Sequence, residues 1–207
     1  MFYLIGAGGH AKVILEILED QMELIGGLVD TNNTITQLLD YPVTKGLEDI
    51  YRIEEDKVIV SIGANHIRKI ITDRSKNKYR YGRLVHSKAI VSSRSSIGVG
   101  TVIMPGVVIN TGVSIGEHCI INTSTSIDHD CYVGDFAHLS PNSTLAGNVQ
   151  VGEGAHIGIG ASIIPGIKIG KWATIGAGAV IIRDVPDFAV VIGVPGKVIR
   201  YNNTYGE

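Results

Sequence analysis

From Val91 to Ile181 every sixth residue is Val, Ile or Leu, starting Val91, Ile97, Ile103, Ile109 and closing Ile163, Ile169, Ile175, Ile181. Chance would produce such an uninterrupted series at odds on the order of one in 10^7. The spacing matches neither the ~3.6-residue period of a helix nor the ~2-residue period of a strand. It is the period of a hexapeptide parallel β-helix, in which short strands wind around a three-faced prism. One turn takes about eighteen residues, so the series predicts about five turns. Glycine follows the apolar anchor at 98, 116, 134, 152, 158, 170 and 176. A corner with positive φ is expected at those glycines.

Composition narrows the setting. The chain has 207 residues, a formal net charge of -2 and 18% charged residues. No basic stripe is present, so nucleic acid is excluded as a partner. No apolar run approaches the ~20 residues of a membrane span. Met1 leads directly into a strand-like run without a basic segment, so no signal peptide is read and a cytoplasmic, soluble protein is expected. Cys119 and Cys131 each stand two residues before an anchor, where most hexads carry a small residue. Both read as small core residues without a disulfide, because they fall on different faces.

Residues 1–80 follow a different pattern. Phe2–Ile5 reads as a buried strand, Gly6-Ala7-Gly8-Gly9-His10-Ala11 as a turn, and Lys12–Asp20 as a helix with Val13, Ile14, Ile17 and Leu18 on one face. Leu24–Val29 and Lys57–Ile62 read as further strands. Asn65–Lys76 reads as a second helix with Ile67, Ile70 and Ile71 apolar. Alternating strands and helices imply a small Rossmann-like parallel α/β domain. The division is 1–80 for that domain and 81–207 for the β-helix, with a terminal loop after Ile182.

Gly6, Gly8 and Ala11 fit a phosphate-binding glycine turn between strand and helix. Asp30 closes the second strand, where an acid contacting a ribose or base belongs. The domain is too short for a full dinucleotide fold, which favours a nucleotide-containing substrate over a redox cofactor. His129 stands between Asp128 and Asp130. A carboxylate beside an imidazole fixes its tautomer and makes it more basic, as a general base requires. His138 and His156 are one turn apart and should stack. His118 reads as a surface residue. A three-histidine zinc site, as in hexapeptide carbonic anhydrases, is disfavoured because His129 and His138 occupy different hexad positions. No metal is expected.

The chain resembles the bacterial sugar acetyltransferases of the sialic-acid O-acetyltransferase (NeuD) type. Within them it is most similar to enzymes acetylating the 4-amino group of a nucleotide-linked amino sugar, of the UDP-bacillosamine-pathway and GDP-perosamine kinds. The resemblance rests on Gly6-Ala7-Gly8-Gly9-His10, Ser61-Ile62-Gly63-Ala64-Asn65, Ile121-Asn122-Thr123, Asp128-His129-Asp130, His138, Ala146-Gly147-Asn148-Val149 and Gly193-Val194-Pro195-Gly196-Lys197. It implies a left-handed β-helix and a homotrimer, with acetyl-CoA as co-substrate between neighbouring β-helices. It implies His129 as general base and Asp130 as the acid that orients it. Gly8, Gly9, His10, Asp30, Thr31, Gly63 and Asn122 match the nucleotide-sugar site; His138, Ile159 and Ala177 match acetyl-CoA contacts. The family often has Gly where Ala177 stands, and ends in Gly-Val-Pro-Ala-Lys where this chain has Gly-Val-Pro-Gly-Lys. O-acetylation of a sialic-acid-like sugar or another small hydroxyl acceptor is the alternative activity, and a non-catalytic nucleotide-sensing scaffold is a third reading.

Overall fold

The computed structural model describes residues 1–32, 34–46, 56–75 and 78–202. The apolar run Phe2–Ile5 forms β1, followed by α1 (Gly9–Asp20), β2 (Ile25–Val29), β3 (Gln37–Leu38), β4 (Tyr41–Thr44), β5 (Lys57–Val60) and α2 (Asn65–Arg74). The strands form one sheet in the order β3-β4-β2-β1-β5. β1 lies between parallel neighbours β2 and β5, and its Phe2, Tyr3 and Leu4 side chains are buried. The short β3 and β4, which pair antiparallel, have no counterpart in the sequence reading.

α1 buries Ala11, Ile14, Leu15, Ile17 and Leu18. This wide apolar surface arises because the helix packs on the sheet and also meets the first coil: Gln21 Nε2 donates to the Val85 carbonyl and Ser87 Oγ donates to Asp20. α2 leaves apolar side chains at the surface. Ile67 and Ile70 are 37% and 42% exposed, and the buried residue of the helix is Arg68, 1% exposed.

The remaining chain is a parallel β-helix of two-residue strands, with each strand pairing with the one eighteen residues on, as in His138↔His156. Its faces are a long sheet of eight strands, a six-stranded sheet and a five-stranded sheet. Strands from Leu84–Val85 to Ser96–Ile97 make the first turn, and five turns of three strands are followed by Thr174–Ile175 and Val180–Ile181. The coil thus extends beyond the five turns expected, into a sixth. The anchors fill the prism, with Ile103, Ile121, Ile127, Val133, Leu139, Leu145, Val151 and Ile157 fully buried at 0%. Cys119 and Cys131 are free and buried.

Three edges join the faces, here numbered in chain order: first from long to six-stranded sheet, second from six- to five-stranded, third from five-stranded back to long. The expectation about glycine is corrected at these edges. Positive φ occurs two residues after the expected glycines, for example at Gly100, Gly154, Gly160 and Gly178. The glycine next to the anchor is required by close approach instead: a Cβ on Gly134 would lie 2.7 Å from the Glu153 backbone nitrogen of the next coil. Where the left-handed corner residue is not glycine it is His118, Ser124, Asp130, Phe136, Asn142, Asn148 or Trp172.

The end of the chain is also more ordered than a terminal loop. Ala189–Ile192 extends the long sheet in parallel beside Thr174–Ile175, and Lys197–Tyr201 returns antiparallel to it. On the long sheet the outward-facing Val102 and Ile120 are 1% exposed, because the α/β layer covers that face. His118, expected at the surface, is 2% exposed in the same junction, between Tyr81 and Phe136. No helix among the described residues is long and apolar enough to cross a membrane.

Candidate active site

The glycine turn begins where β1 ends. Asp30, just past β2, accepts a 2.7 Å hydrogen bond from the Ala7 N–H through Oδ2 and a 2.8 Å bond from Asn32 N–H through Oδ1. Asp30 thereby holds the turn open. Thr31 beside it is exposed. α1 has Gly8 as its N-cap, with no side-chain cap and no acid in its first turn. Its free N–H groups and dipole suit a phosphate. A Cβ on Gly8, Gly9 or Gly63 would meet nothing within 4 Å, so the three glycines border open space. His10 points inward, and its Nε2 is buried without a hydrogen-bond partner. Burial, reinforced by the Arg68 guanidinium, holds its pKa down at about 4.

Across the junction, His138 and His156 project from the long sheet with ring centroids 4.9 Å apart and planes 11° apart. The Asn122 amide nitrogen lies 3.1 Å from His138 Nε2, and Asn122 Oδ1 accepts the Thr123 N–H, which fixes the amide as donor to the imidazole. His156 Nε2 lies 2.8 Å from Ser140 Oγ. Burial, then the charges of His156, Arg68 and His10, push the His138 pKa down to about 3, against a backbone hydrogen bond with Gly63. His138 is therefore a neutral imidazole touching both the Gly63 loop and Asn122. Beside it a cavity of about 340 Å³ runs from Gly63 and Asn65 past His156 to Trp172 and Arg200.

His129 lies on the second edge. Its Nδ1 is 2.9 Å from Asp130 Oδ2, with the two side chains 50% and 59% exposed. Asp130 adopts φ 59°, a corner conformation that sets its carboxylate beside the ring. Asp128 supports the loop: its Oδ1 accepts from the His129 N–H and from Asn110 Nδ2, both at 2.8 Å. The hydrogen bond to Asp130, then the charge of Asp128, raise the His129 pKa. Nε2 faces Gly147 one coil on, where a Cβ would lie 2.6 Å away. With Nδ1–H donated to Asp130, Nε2 is the free acceptor.

The fold thus gathers Gly8, Gly9, His10, Asp30 and Thr31 at the end of the α/β sheet, and joins Gly63, Asn122 and His138 across the junction. Ile159 and Ala177 stand one above the other on the first edge, eighteen residues apart, with Ile159 58% exposed. His129 and Asp130 are not brought to either group within one chain, because the second edge lies opposite the long sheet. The sequence reading missed Arg68, Ser140 and Trp172. Arg68 carried one readable signal, its position three residues after Asn65 on a helix that starts at a glycine turn. No cluster of metal-ligating side chains occurs among the described residues.

Residues 2–75 match the PglD N-terminal domain, and residues 148–183 match the bacterial transferase hexapeptide (six repeats). The UDP-N-acetylbacillosamine N-acetyltransferase of Bacillus subtilis (strain 168) is 40% identical over 107 residues, a segment covering 49% of this chain and 50% of that relative. The structure of PerB from Caulobacter crescentus, in complex with CoA and GDP-perosamine, superposes with a TM-score of 0.89 at 37% identity over 96% of this chain and 97% of that one. The acetyltransferase domain of PglB from Neisseria gonorrhoeae FA1090, in complex with acetyl coenzyme A, gives 0.88 at 34% identity over 96% and 98%. A PglD-type α/β domain joined to a hexapeptide β-helix, matched along nearly its whole length, makes this chain a member of the nucleotide-amino-sugar N-acetyltransferase family of hexapeptide acyltransferases.

Proposed function

We propose that this chain transfers the acetyl group of acetyl-CoA to the amino group of a nucleotide-linked 4-amino-4,6-dideoxy sugar, carried by UDP or GDP, for surface glycan biosynthesis. The observation that carries the reading is the His129–Asp130 pair, with Nδ1 tied to the carboxylate at 2.9 Å and Nε2 left as acceptor. An ammonium has no lone pair with which to attack a thioester. The amine loses a proton to Nε2 of His129 as its nitrogen bonds to the acetyl carbon. The C–S bond then breaks, and the proton passes from His129 to the departing CoA sulfur. A backbone N–H of the coil stabilises the oxyanion of the tetrahedral intermediate. A covalent acyl-enzyme is unnecessary, since the amine attacks directly.

In this reading Gly8, Gly9, His10, Asp30, Thr31, Gly63 and Asn122 hold the nucleotide sugar, and His138, Ile159 and Ala177 hold acetyl-CoA. The opposite placement of base and nucleotide turn supports an active site shared between chains of a homotrimer. Acetyl-CoA as co-substrate supports a cytoplasmic setting. The test is thiol release from acetyl-CoA across UDP-, GDP- and CMP-linked amino sugars, free amino sugars and sialic-acid-like sugars. Release with a nucleotide 4-amino sugar and formation of an amide are expected. Release only with a hydroxyl acceptor would replace the reading with O-acetylation.

A further inference from the structure

Arg68 is the only charged residue of α2 that is fully buried, and all its N–H groups are used. Nε donates to the His118 carbonyl at 2.7 Å, and Nη2 to the Phe136 carbonyl at 2.8 Å and to Asn65 Oδ1 at 2.9 Å. Nη1 donates to the carbonyls of Ile62 at 2.8 Å and Gly63 at 3.2 Å. Asn65 continues the pattern by donating through Nδ2 to the carbonyls of Gly154 at 3.1 Å and Ala155 at 3.3 Å. His118, Phe136 and Gly154 are successive third-edge corners with φ of 53°, 59° and 65°. Left-handed corners stack three carbonyls in a column, and α2 grips that column.

We propose that Arg68, extended by Asn65, is the positioning residue that sets the height of the Gly63 loop, and with it the bound nucleotide sugar, against the coils of the β-helix. Its acceptors are carbonyl and amide oxygens. A buried cation with only neutral partners is a costly way to join two layers. Apolar packing would join them more strongly, but would leave the register along the column loose. The planar fork fixes it, because the same guanidinium holds the loop on one side and two coils on the other. Burial lowers the Arg68 pKa only to about 10, so the charge is kept at neutral pH. Lysine at 68 would keep the charge but lose the fork.

This inference rests on the nucleotide-sugar reading, and the test separates the two. Arg68→Lys and Asn65→Ala are compared with wild type in steady-state kinetics and in calorimetric titration with UDP and GDP. KM for the nucleotide sugar should rise about tenfold or more in Arg68→Lys and about threefold in Asn65→Ala, with KM for acetyl-CoA within about twofold of wild type. If Arg68→Lys does not fold, Asn65→Ala carries the test. Variants with wild-type nucleotide-sugar KM, or with both KM values and kcat altered equally, overturn the positioning role. A wild type that binds neither nucleotide and releases no thiol overturns the functional reading, and this inference with it.

Discussion

His118 lies flat on Phe136, with ring centroids 5.3 Å apart and planes 7° apart, while Tyr81 meets it edge-on at 4.5 Å. The imidazole is sealed in the junction between the α/β layer and the β-helix. Burial first, then the Arg68 charge, bring its pKa down to about 4. The folded protein therefore holds His118 neutral at a pH where an unfolded chain, with an ordinary value of about 6.5, binds a proton.

The sign of the stability effect follows. Above about pH 6.5 neither state is protonated and the contribution is intact. As pH falls towards 4 the unfolded state gains protons that the folded state refuses, so stability is lost. For this 2%-exposed residue the loss is about 2–3 kcal/mol by pH 4.5. His118→Phe keeps the stacked shape and removes the titration. Its buried Nδ1 has no hydrogen-bond partner, so no bond is lost with it. Urea unfolding should show the variant near wild type at pH 7.5 and less acid-sensitive at pH 4.5. Equal acid sensitivity in both proteins would count against a neutral buried His118.

Removing the proposed base, His129, should separate chemistry from folding. His129 is half-exposed at a corner, so His129→Ala should fold normally and lose roughly 10^2-fold or more in kcat. Asp130→Asn removes the main cause of the raised His129 pKa. The base must be neutral to act, so a lower pKa moves the acidic limb of the pH–kcat profile to lower pH. The plateau should fall as well, because a weaker base accepts the proton less readily. A limb that stays in place would disconnect Asp130 from His129.

Gly147 bounds the same imidazole from the next coil. An added Cβ would lie 2.6 Å from Nε2 and 2.7 Å from Cε1, so Gly147→Ala must displace the ring. The backbone of the coil is not obstructed, and melting should be unchanged. A shift of the base by about 1 Å should cost between tenfold and 10^2-fold in kcat. Wild-type kcat in Gly147→Ala would mean that the ring is not in its working position as seen here.

The six-residue period made the prism and its approximate length legible, because each anchor reports one inward position irrespective of tertiary context. The His129–Asp130 contact was legible for the same reason: the two residues are neighbours in a corner whose position the anchors define. The junction was not. His118 and Arg68 look like surface residues, since a polar side chain carries no sign that another layer will cover it. Ile67 and Ile70 show the converse, an apolar helix face left exposed because Arg68 on the other side has carbonyls to bind. The glycines after the anchors were visible, but their reason was not: backbone approach between coils is a property of stacking, and positive φ falls two residues further on.

Assembly decides whether the separated parts make one site. Ile159 and Ala177 occupy the first edge, His129 the second, and the Gly6–Ala11 turn lies with the layer covering the long sheet. A closed three-fold ring of heterologous contacts would bring the second edge of one chain to the first edge of its neighbour. The expected particle is about three times the 22.1 kDa of one chain. His129→Ala and Asp30→Ala should each be weakly active alone. Co-refolded, they should recover activity, because some interfaces then combine an intact base from one chain with an intact nucleotide site from the other. Light scattering that finds a fully active monomer, or mixtures no more active than their parents, would require base and nucleotide sugar to meet within one chain.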